Sequence, residues 1–216
     1  MIARRSLVSW GLAGLAGASA VKAVAGDQLP DPRPDPRTDP EAVPDSFSLS
    51  PVPLVPPPPG PRHLTFHHLH TGEDLEVVYW ENDRYVWDAL AAVRKILRDF
   101  RSEEEHPIDV RLLDILFTLR TLTGSKEPFR IVSAFRSATT NEMLSGQSAA
   151  VNGGDSQVAR KSLHMEGKAM DVRLNDVALT GLRDAALSLQ GGGVGYYPDS
   201  AFVHVDIGPV RTWVGS

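Results

Sequence analysis

The segment SLHMEGKAMDV, residues 162–172, carries two potential metal ligands, His164 and Asp171, on either side of a glycine. Gly167 interrupts any helix here, and seven helical residues would rise about 10 Å, so the two side chains cannot share one helical face. A loop that carries His164, followed by a strand over AMDVRL (169–174), can bring both side chains to one ion. The segment therefore predicts a loop and a strand that lead into a sheet.

The segment FVHVDIG, residues 202–208, alternates between apolar and polar positions as a half-buried strand does. One face would carry Val203, Val205 and Ile207 toward a core, and the other would carry Phe202, His204 and Asp206. A third ligand from this strand would complete a set of two histidines and one carboxylate with one coordination position open, which is typical of catalytic zinc. Nitrogen and oxygen ligands without thiolate suit Zn²⁺.

The residues before these two segments predict a hairpin and two helices. HLTFHHLHTGEDLEVVYW (63–80) contains two strand-like runs around Thr71 and Gly72, which is a hairpin signal. Residues 82–100 place apolar side chains at helical spacing behind a possible cap at Asn82 or Asp83. Residues 107–124 predict a second helix, with Pro107 near its start and Gly124 just after its end.

The remaining segments complete a mixed order of helices and short strands. FRIVSAFRS (129–137) predicts a strand, and a helical turn and a polar loop from Gly146 to about Arg160 follow it. A third helix over residues 178–190 precedes strands in GVGYY (193–197) and FVHVDIG. This order indicates an α+β fold with a small antiparallel sheet and flanking helices.

The N-terminal residues predict export and a tether. Arg4 and Arg5 precede a short Gly/Ala-rich apolar run, so residues 1–25 predict a twin-arginine-type signal peptide cleaved after Ala25, with a retained signal anchor as the alternative. Residues 26–62 predict a proline-rich disordered linker, because residues 28–62 hold 13 of the chain's 17 prolines. The folded domain is expected over residues 63–216.

Composition limits the chemistry and the partners. The chain has no cysteine, which excludes a disulfide framework, a thiol nucleophile and a thiolate zinc site. The formal net charge is −5 and the lysines and arginines form no stripe, so we expect no nucleic-acid partner. Once the signal is cleaved, we expect no stable membrane insertion.

Several separated segments together resemble a known family. SxHxxGxAxD and the later strand histidine of FVHVD resemble the zinc D-Ala-D-Ala peptidases, and AFRS, ARKSLHM, GGVGYYP and GPVR resemble the murein endopeptidase K group among them. The resemblance covers residues 63–216 and implies a hedgehog/D-Ala-D-Ala-peptidase-like fold. It also implies that Zn²⁺ is bound by His164, Asp171 and His204.

The family's usual general base is missing from its expected position. Related zinc peptidases often place an acidic residue three positions before the last histidine, where this chain has Ala201. Asp206, on the strand face of His204, is therefore the preferred base, with Glu166 and Asp199 as weaker candidates. The reverse assignment, in which Asp206 is a ligand and His204 is catalytic, stays open.

Two further residues are expected to contact substrate. Arg136, at the end of a predicted strand, can bind a substrate carboxylate or stabilise an oxyanion, and the resemblance points the same way. Ser162 can orient a ligand or donate to the substrate. Trp213 is expected to be a packing residue near the C-terminus, with a wall of the substrate site as the alternative.

The expected function is that of a secreted or periplasmic bacterial zinc peptidase, a DD- or LD-endopeptidase that hydrolyses amide bonds in the peptide stems or cross-links of peptidoglycan. The resemblance supplies this substrate class. One alternative is a carboxypeptidase that trims terminal D-Ala, which needs a closed pocket for a free carboxylate. The other is a non-catalytic, zinc-stabilised module that binds peptidoglycan, as in the hedgehog-like relatives of this fold.

Overall fold

The computed structural model describes residues 59–151, 153–154 and 158–215. The predicted signal peptide and nearly all of the predicted linker lie outside these ranges, so both stay predictions. Within them, each helix is too short or too polar to cross a lipid bilayer.

The described residues form strands, helices and one 3₁₀ turn. The strands are β1 (Arg62–His68), β2 (Asp74–Glu81), β3 (Arg84–Tyr85), β4 (Phe129–Ser133), β5 (Ala169–Arg173), β6 (Gly193–Tyr197), β7 (Phe202–Asp206) and β8 (Arg211–Val214). The helices are α1 (Trp87–Ile96), α2 (Val110–Thr123), α3 (Ala138–Val151) and α4 (Leu179–Leu189). The 3₁₀ turn covers Leu163–Glu166. The hairpin over residues 63–80 is confirmed as β1 and β2.

All the strands belong to one mixed sheet, in the order β3-β2-β1-β4-β5-β7-β6-β8. The α+β class is confirmed, but the expectation of a small antiparallel sheet is wrong. β1 pairs with β4 in parallel, because α1 and α2 form the crossover that returns the chain to the same end of the sheet. β6 pairs with β8 in parallel as well, and β8 lies in the segment RTWV that was not predicted as a strand.

The hydrophobic core lies between one face of the sheet and helices α1, α2 and α4. Val203 and Val205 of β7 are buried in this core, and Ile207 packs against it, as the alternation predicted. Val172 of β5 is fully buried on the same side. Asp171 and His204 therefore lie on the opposite face of the sheet, because neighbouring side chains of a strand alternate.

Helix α2 ends at Gly124 as predicted, and it begins at Val110, three residues after Pro107. Asp109 is its N-cap, and the carboxylate accepts a hydrogen bond from the amide of Arg111 across 3.0 Å. Gly124 ends the helix in the left-handed conformation, at φ 68°.

Two local predictions are wrong. Asn82 and Asp83, expected to cap α1, have φ of 52° and 57° and form the two-residue turn between β2 and β3, so α1 begins only at Trp87. The polar loop expected from Gly146 is helical as far as Val151. A single glycine costs a helix only about 1 kcal/mol, which does not end it.

Candidate metal centre

Three buried side chains converge on the sheet face opposite the helices. Asp171 and His204 are direct cross-strand neighbours on the antiparallel strands β5 and β7, and His164 comes from the 3₁₀ turn before β5. Nδ1 of His204 lies 2.7 Å from Oδ1 of Asp171 and 3.2 Å from Nε2 of His164. His164 Nε2 lies 3.3 Å from the same Oδ1. Each of the three residues is less than a tenth exposed.

Local backbone contacts hold the turn that carries His164. The Ser162 hydroxyl caps the turn by accepting a hydrogen bond from the amide of His164 at 3.4 Å. Gly167 ends the turn at φ 63°, and a Cβ there would lie 2.1 Å from the carbonyl oxygen of Pro107. The amide of Asp109 donates to the Gly167 carbonyl at 3.0 Å, so the turn is tied to the start of α2.

The hydrogen bonds of each histidine decide which nitrogen faces the centre. Nδ1 of His164 donates to the carbonyl of Ala134 at 2.7 Å, which leaves the lone pair of Nε2 toward the other two side chains. Nε2 of His204 lies 3.1 Å from Oδ2 of Asp206, which leaves Nδ1 toward Asp171. Metal-binding histidines usually donate their second N–H to a carbonyl or carboxylate in this way.

The Asp206 carboxylate is fully engaged. Besides His204, it accepts from the amides of Gly193 at 2.9 Å and Gly208 at 2.8 Å. Nη1 and Nη2 of Arg211 donate to its two oxygens at 3.2 and 2.6 Å. Burial opposes ionisation, but the hydrogen bonds from His204, Gly193 and Arg211 outweigh it and hold the pKa of Asp206 well below its usual range. The low pKa favours the ionised form of Asp206, which is hydrogen bonded to His204.

The pKa shifts of the three converging residues fit a cation site. Burial alone would raise the pKa of Asp171, but the neighbouring histidines outweigh it and lower that pKa, so a carboxylate ion is buried here. Burial lowers the pKa of His164 and keeps its imidazole neutral. Burial also disfavours the charged form of His204, yet hydrogen bonds to two carboxylates raise its pKa. The raised pKa favours a proton on the second ring nitrogen of His204, and a bound metal ion would take the place of that proton.

The donor set suits zinc. Two imidazole nitrogens and one carboxylate oxygen, without thiolate, are the ligand types of catalytic zinc sites, and these atoms lie within 4.8 Å of one another. Ligand atoms of a tetrahedral zinc ion are separated by about 3.3 Å when the bonds are about 2.0 Å long. Both distances from Nε2 of His164, at 3.2 and 3.3 Å, agree with that separation.

Arg136 lies beside the centre with unused hydrogen-bond donors. Its amide donates to the His164 carbonyl at 3.2 Å, and its Nη2 lies 3.6 Å from Oδ2 of Asp171. The side chain is only 12% exposed, and its Nε has no hydrogen-bond partner in the described part of the chain. Burial lowers the pKa of Arg136, but a guanidinium with so high an ordinary pKa stays protonated. The exposed part of this guanidinium can bind an anionic group of a substrate.

The other predicted candidates lie apart from this group. Glu166 is exposed and pairs with Lys168 at 2.8 Å. Asp199 is exposed in the turn between β6 and β7. Ala201, where related peptidases often have an acid, lies in the same turn at φ 54°. Ser162 caps the turn of His164, and its contact with substrate stays a prediction.

Trp213 is closer to the centre than the sequence indicated. It pairs with Gly195 on the neighbouring strand, and its indole ring lies 5.2 Å from the ring of His204 between centroids. A Cβ on Gly195 would lie 2.6 Å from the indole, so the missing side chain lets Trp213 reach across β6. The indole N–H donates to the Tyr197 hydroxyl at 2.9 Å. The signal for this contact was Gly195, a glycine in the interior of the strand GVGYY.

Comparison with known proteins confirms the family resemblance. The family described as peptidoglycan L,D-endopeptidase MepK matches residues 57–213. The chain is similar to the peptidoglycan L,D-endopeptidase MepK of Escherichia coli (strain K12), with 41% identity over 155 residues, which cover 72% of this chain and 81% of that protein. It is 38% identical over 158 residues to the probable peptidoglycan L,D-endopeptidase MepK of Haemophilus influenzae, covering 73% and 81% of the two chains.

Proposed function

This chain belongs to the family of the peptidoglycan L,D-endopeptidase MepK, and from that premise we propose that it is a zinc-dependent endopeptidase that hydrolyses peptide cross-links of peptidoglycan. The main support for this proposal is the convergence of His164, Asp171 and His204. A second hydrogen bond orients each histidine, and the pairing of β5 with β7 positions Asp171. We infer specificity for LD rather than DD bonds from the names of these relatives.

Zinc would be held by Nε2 of His164, Oδ1 of Asp171 and Nδ1 of His204. The chemistry that zinc supplies at such a site is polarisation of a carbonyl and activation of water at neutral pH. Arg136 lies next to Asp171, where its guanidinium group can bind the carbonyl oxygen of the scissile amide as negative charge develops on it.

Asp206 remains the sequence-based candidate for the general base, but its contacts favour a different role. A base must have a free lone pair within reach of the proton that it removes. The Asp206 carboxylate accepts hydrogen bonds from five donors on four residues. We infer that Asp206 is a positioning residue that fixes the ring of His204.

A non-catalytic binding module is the second candidate. Ala201 replaces the acid that related peptidases often have, and the Asp206 carboxylate is fully hydrogen bonded, so neither position supplies a free carboxylate to act as a base. The carboxypeptidase alternative has less support, because both relatives are named endopeptidases.

One experiment separates these functions. The zinc-loaded protein is incubated with purified cross-linked muropeptides, and the products are identified by mass. Release of the two uncross-linked peptides supports the endopeptidase. Loss of a terminal D-Ala alone supports a carboxypeptidase. Binding of the muropeptides without any cleavage supports a binding module. His164→Ala is the matched control, because it removes a proposed ligand.

Periplasmic location by twin-arginine export is the corresponding proposal for the N-terminal residues. Its support is the pair Arg4 and Arg5 before an apolar run, and the substrate itself, which lies outside the cytoplasmic membrane. Replacing both arginines with lysine keeps the charge but removes the receptor signal, so we expect the precursor to stay in the cytoplasm. Unchanged delivery in a fractionation experiment would contradict this route.

A further inference from the structure

Two arginines lie directly opposite each other on the sheet face that carries the candidate metal centre. Arg130 of β4 pairs with Arg173 of the antiparallel strand β5, and the next pair along these strands is Ile131 with Val172. Ile131 and Val172 are fully buried in the core, so the two arginines point to the opposite face, on which Asp171 lies. The register of the sheet therefore places both arginine side chains on the face of the metal centre.

Neither arginine has a charge partner in the part of the chain that the structure describes. Both residues are half-buried, and no carboxylate there lies within ion-pair distance of either guanidinium. Carboxylates of the neighbouring segments have other partners: Asp74 contacts His67 at 2.8 Å, and Asp176 accepts from the Ser125 hydroxyl at 2.6 Å. The positive charge of the pair is thus not neutralised by these segments.

This arrangement is unfavourable in the absence of an anion. Like charges directly opposite each other on antiparallel strands destabilise a sheet. Of the nitrogens in the two guanidinium groups, only Nε of Arg130 is buried without a partner in the described chain, so the others can reach a ligand. An anion that contacts both groups would relieve the repulsion between them. A carboxylate suits this role, because its two oxygens match the geometry of the arginine N–H groups.

The arginine pair lies one row along the sheet from the metal ligands. Arg173 follows Asp171 by two residues on the same face of β5, which is about 7 Å along the strand. Phe202, two residues before His204 on β7, continues this row and stacks on Tyr197 with 4.4 Å between ring centroids. A peptide that crosses from the metal ligands to this row spans about two extended residues. The bound group would therefore belong to a residue about two positions from the scissile amide.

We propose that Arg130 and Arg173 form a subsite for a free carboxylate of the stem peptide, about two residues from the scissile amide. The inference rests on the proposed function, because it takes the stem peptide as the substrate of the same centre. The subsite is separate from Arg136, which lies beside Asp171 within the metal centre. It selects a carboxylate over a neutral carboxamide, since only an anion relieves the repulsion between two cations.

The test uses two synthetic stem-peptide dimers that differ in one group. The group two residues from the cross-link is a carboxylate in one dimer and a carboxamide in the other, and a ketomethylene unit replaces the scissile amide so that neither dimer is cleaved. Calorimetry measures the binding of each dimer to the zinc-loaded full chain. We expect the wild type to bind the carboxylate dimer about 10- to 100-fold more tightly. Arg130→Gln and Arg173→Gln should each lose most of this preference and bind the carboxamide dimer as the wild type does.

The matched control is Arg183→Gln. Arg183 belongs to α4, which packs on the opposite face of the sheet, and its guanidinium lies 4.8 Å from the ring centroid of Tyr196. This variant should keep the full preference. Urea unfolding separates a role in substrate binding from a role in the fold. Because the paired arginines repel each other, glutamine at either position should not lower the stability of the protein.

Equal binding of the two dimers by the wild type would overturn the inference. A full preference in either glutamine variant would do the same, and so would a marked loss of stability in either. Cleavage of the corresponding amide dimers is recorded separately. Selective binding without cleavage would refute the endopeptidase function and retain the subsite, whereas cleavage with equal affinity for the two dimers would retain the function and refute the subsite.

Discussion

His204 and Asp206 lie two residues apart on one strand and are joined by a hydrogen bond of 3.1 Å between Nε2 and Oδ2. Because the two side chains share a face of β7, the bond runs along the strand and fixes the plane of the imidazole. It thereby selects the nitrogen that faces Asp171.

Asp206→Asn keeps the size of the side chain but removes its charge and its ion pair with Arg211. If Asp206 positions His204, the affinity for zinc should fall by about 10- to 100-fold, as for other residues that orient metal ligands. A chelator competition measures this affinity. A general base would behave differently, with turnover reduced by roughly 10²- to 10⁴-fold and an unchanged affinity for zinc. Asp199→Asn, at an exposed turn, is the control.

His164→Ala should abolish stable metal binding. We expect about one zinc per chain in the wild type and a small fraction of that in the variant, because the open catalytic geometry provides only three protein ligands. Metal analysis after gel filtration measures the content. His67→Ala is the matched control, since His67 pairs with Asp74 at 2.8 Å in the first hairpin. Full occupancy of His164→Ala would exclude this residue as a ligand.

Gly195→Ala should displace Trp213 from His204. The new Cβ would lie 2.6 Å from the indole, and overpacking of this kind costs about 1–3 kcal/mol in the free energy of unfolding. We also expect KM to rise, because the indole forms a wall beside His204. Gly146→Ala, where a Cβ meets nothing within 4 Å, is the control for both measurements. Identical behaviour of the two variants would show that the position of Trp213 is unimportant.

His68 should make stability depend on pH. Burial, with a smaller contribution from His70, lowers the pKa of His68 to about 4 from its ordinary 6.5. The unfolded chain therefore binds the proton first as pH falls, and stability is lost between about pH 6.5 and pH 4, by up to about 1.4 kcal/mol for each pH unit.

Urea unfolding at several pH values compares the wild type with His68→Asn. Nδ1 of His68 accepts hydrogen bonds from the amides of His70 and Thr71 at 3.2 and 3.3 Å, and the asparagine oxygen can replace this acceptor without titrating. The stability of the wild type relative to His68→Asn should therefore fall as pH falls toward 4. A constant difference would mean that His68 does not titrate in this window.

The sequence predicted most elements of the fold but not the order of the strands. The alternation in β7 and the glycine that ends α2 are local signals, and both agree with the structure. The parallel pairs depend on which edge of the sheet each returning strand joins, which no local pattern specifies. β8 is four residues long and largely exposed, so it lacks the apolar alternation by which strands are recognised.

The candidate site, like the fold, was predicted only in part from the sequence. Spacing and resemblance predicted that His164, Asp171 and His204 meet, and the structure brings their ligand atoms together; zinc binding stays a prediction. The partners of Asp206 come from Gly193, Gly208 and Arg211, and main-chain amides carry no signal in a sequence.

The pairing of Asp171 with His204 across two adjacent strands has a consequence for a cell that is short of metal. Backbone hydrogen bonds of the sheet, rather than the ion, hold two of the three ligands at their separation, and capping contacts hold the third. Small zinc domains that depend on their ion unfold when a chelator removes it. Here we expect that the zinc-free protein keeps its circular dichroism spectrum and binds zinc again when the metal is added. When zinc is scarce, the protein would then lose activity but stay folded. When zinc returns, the same molecules would regain activity without new protein synthesis.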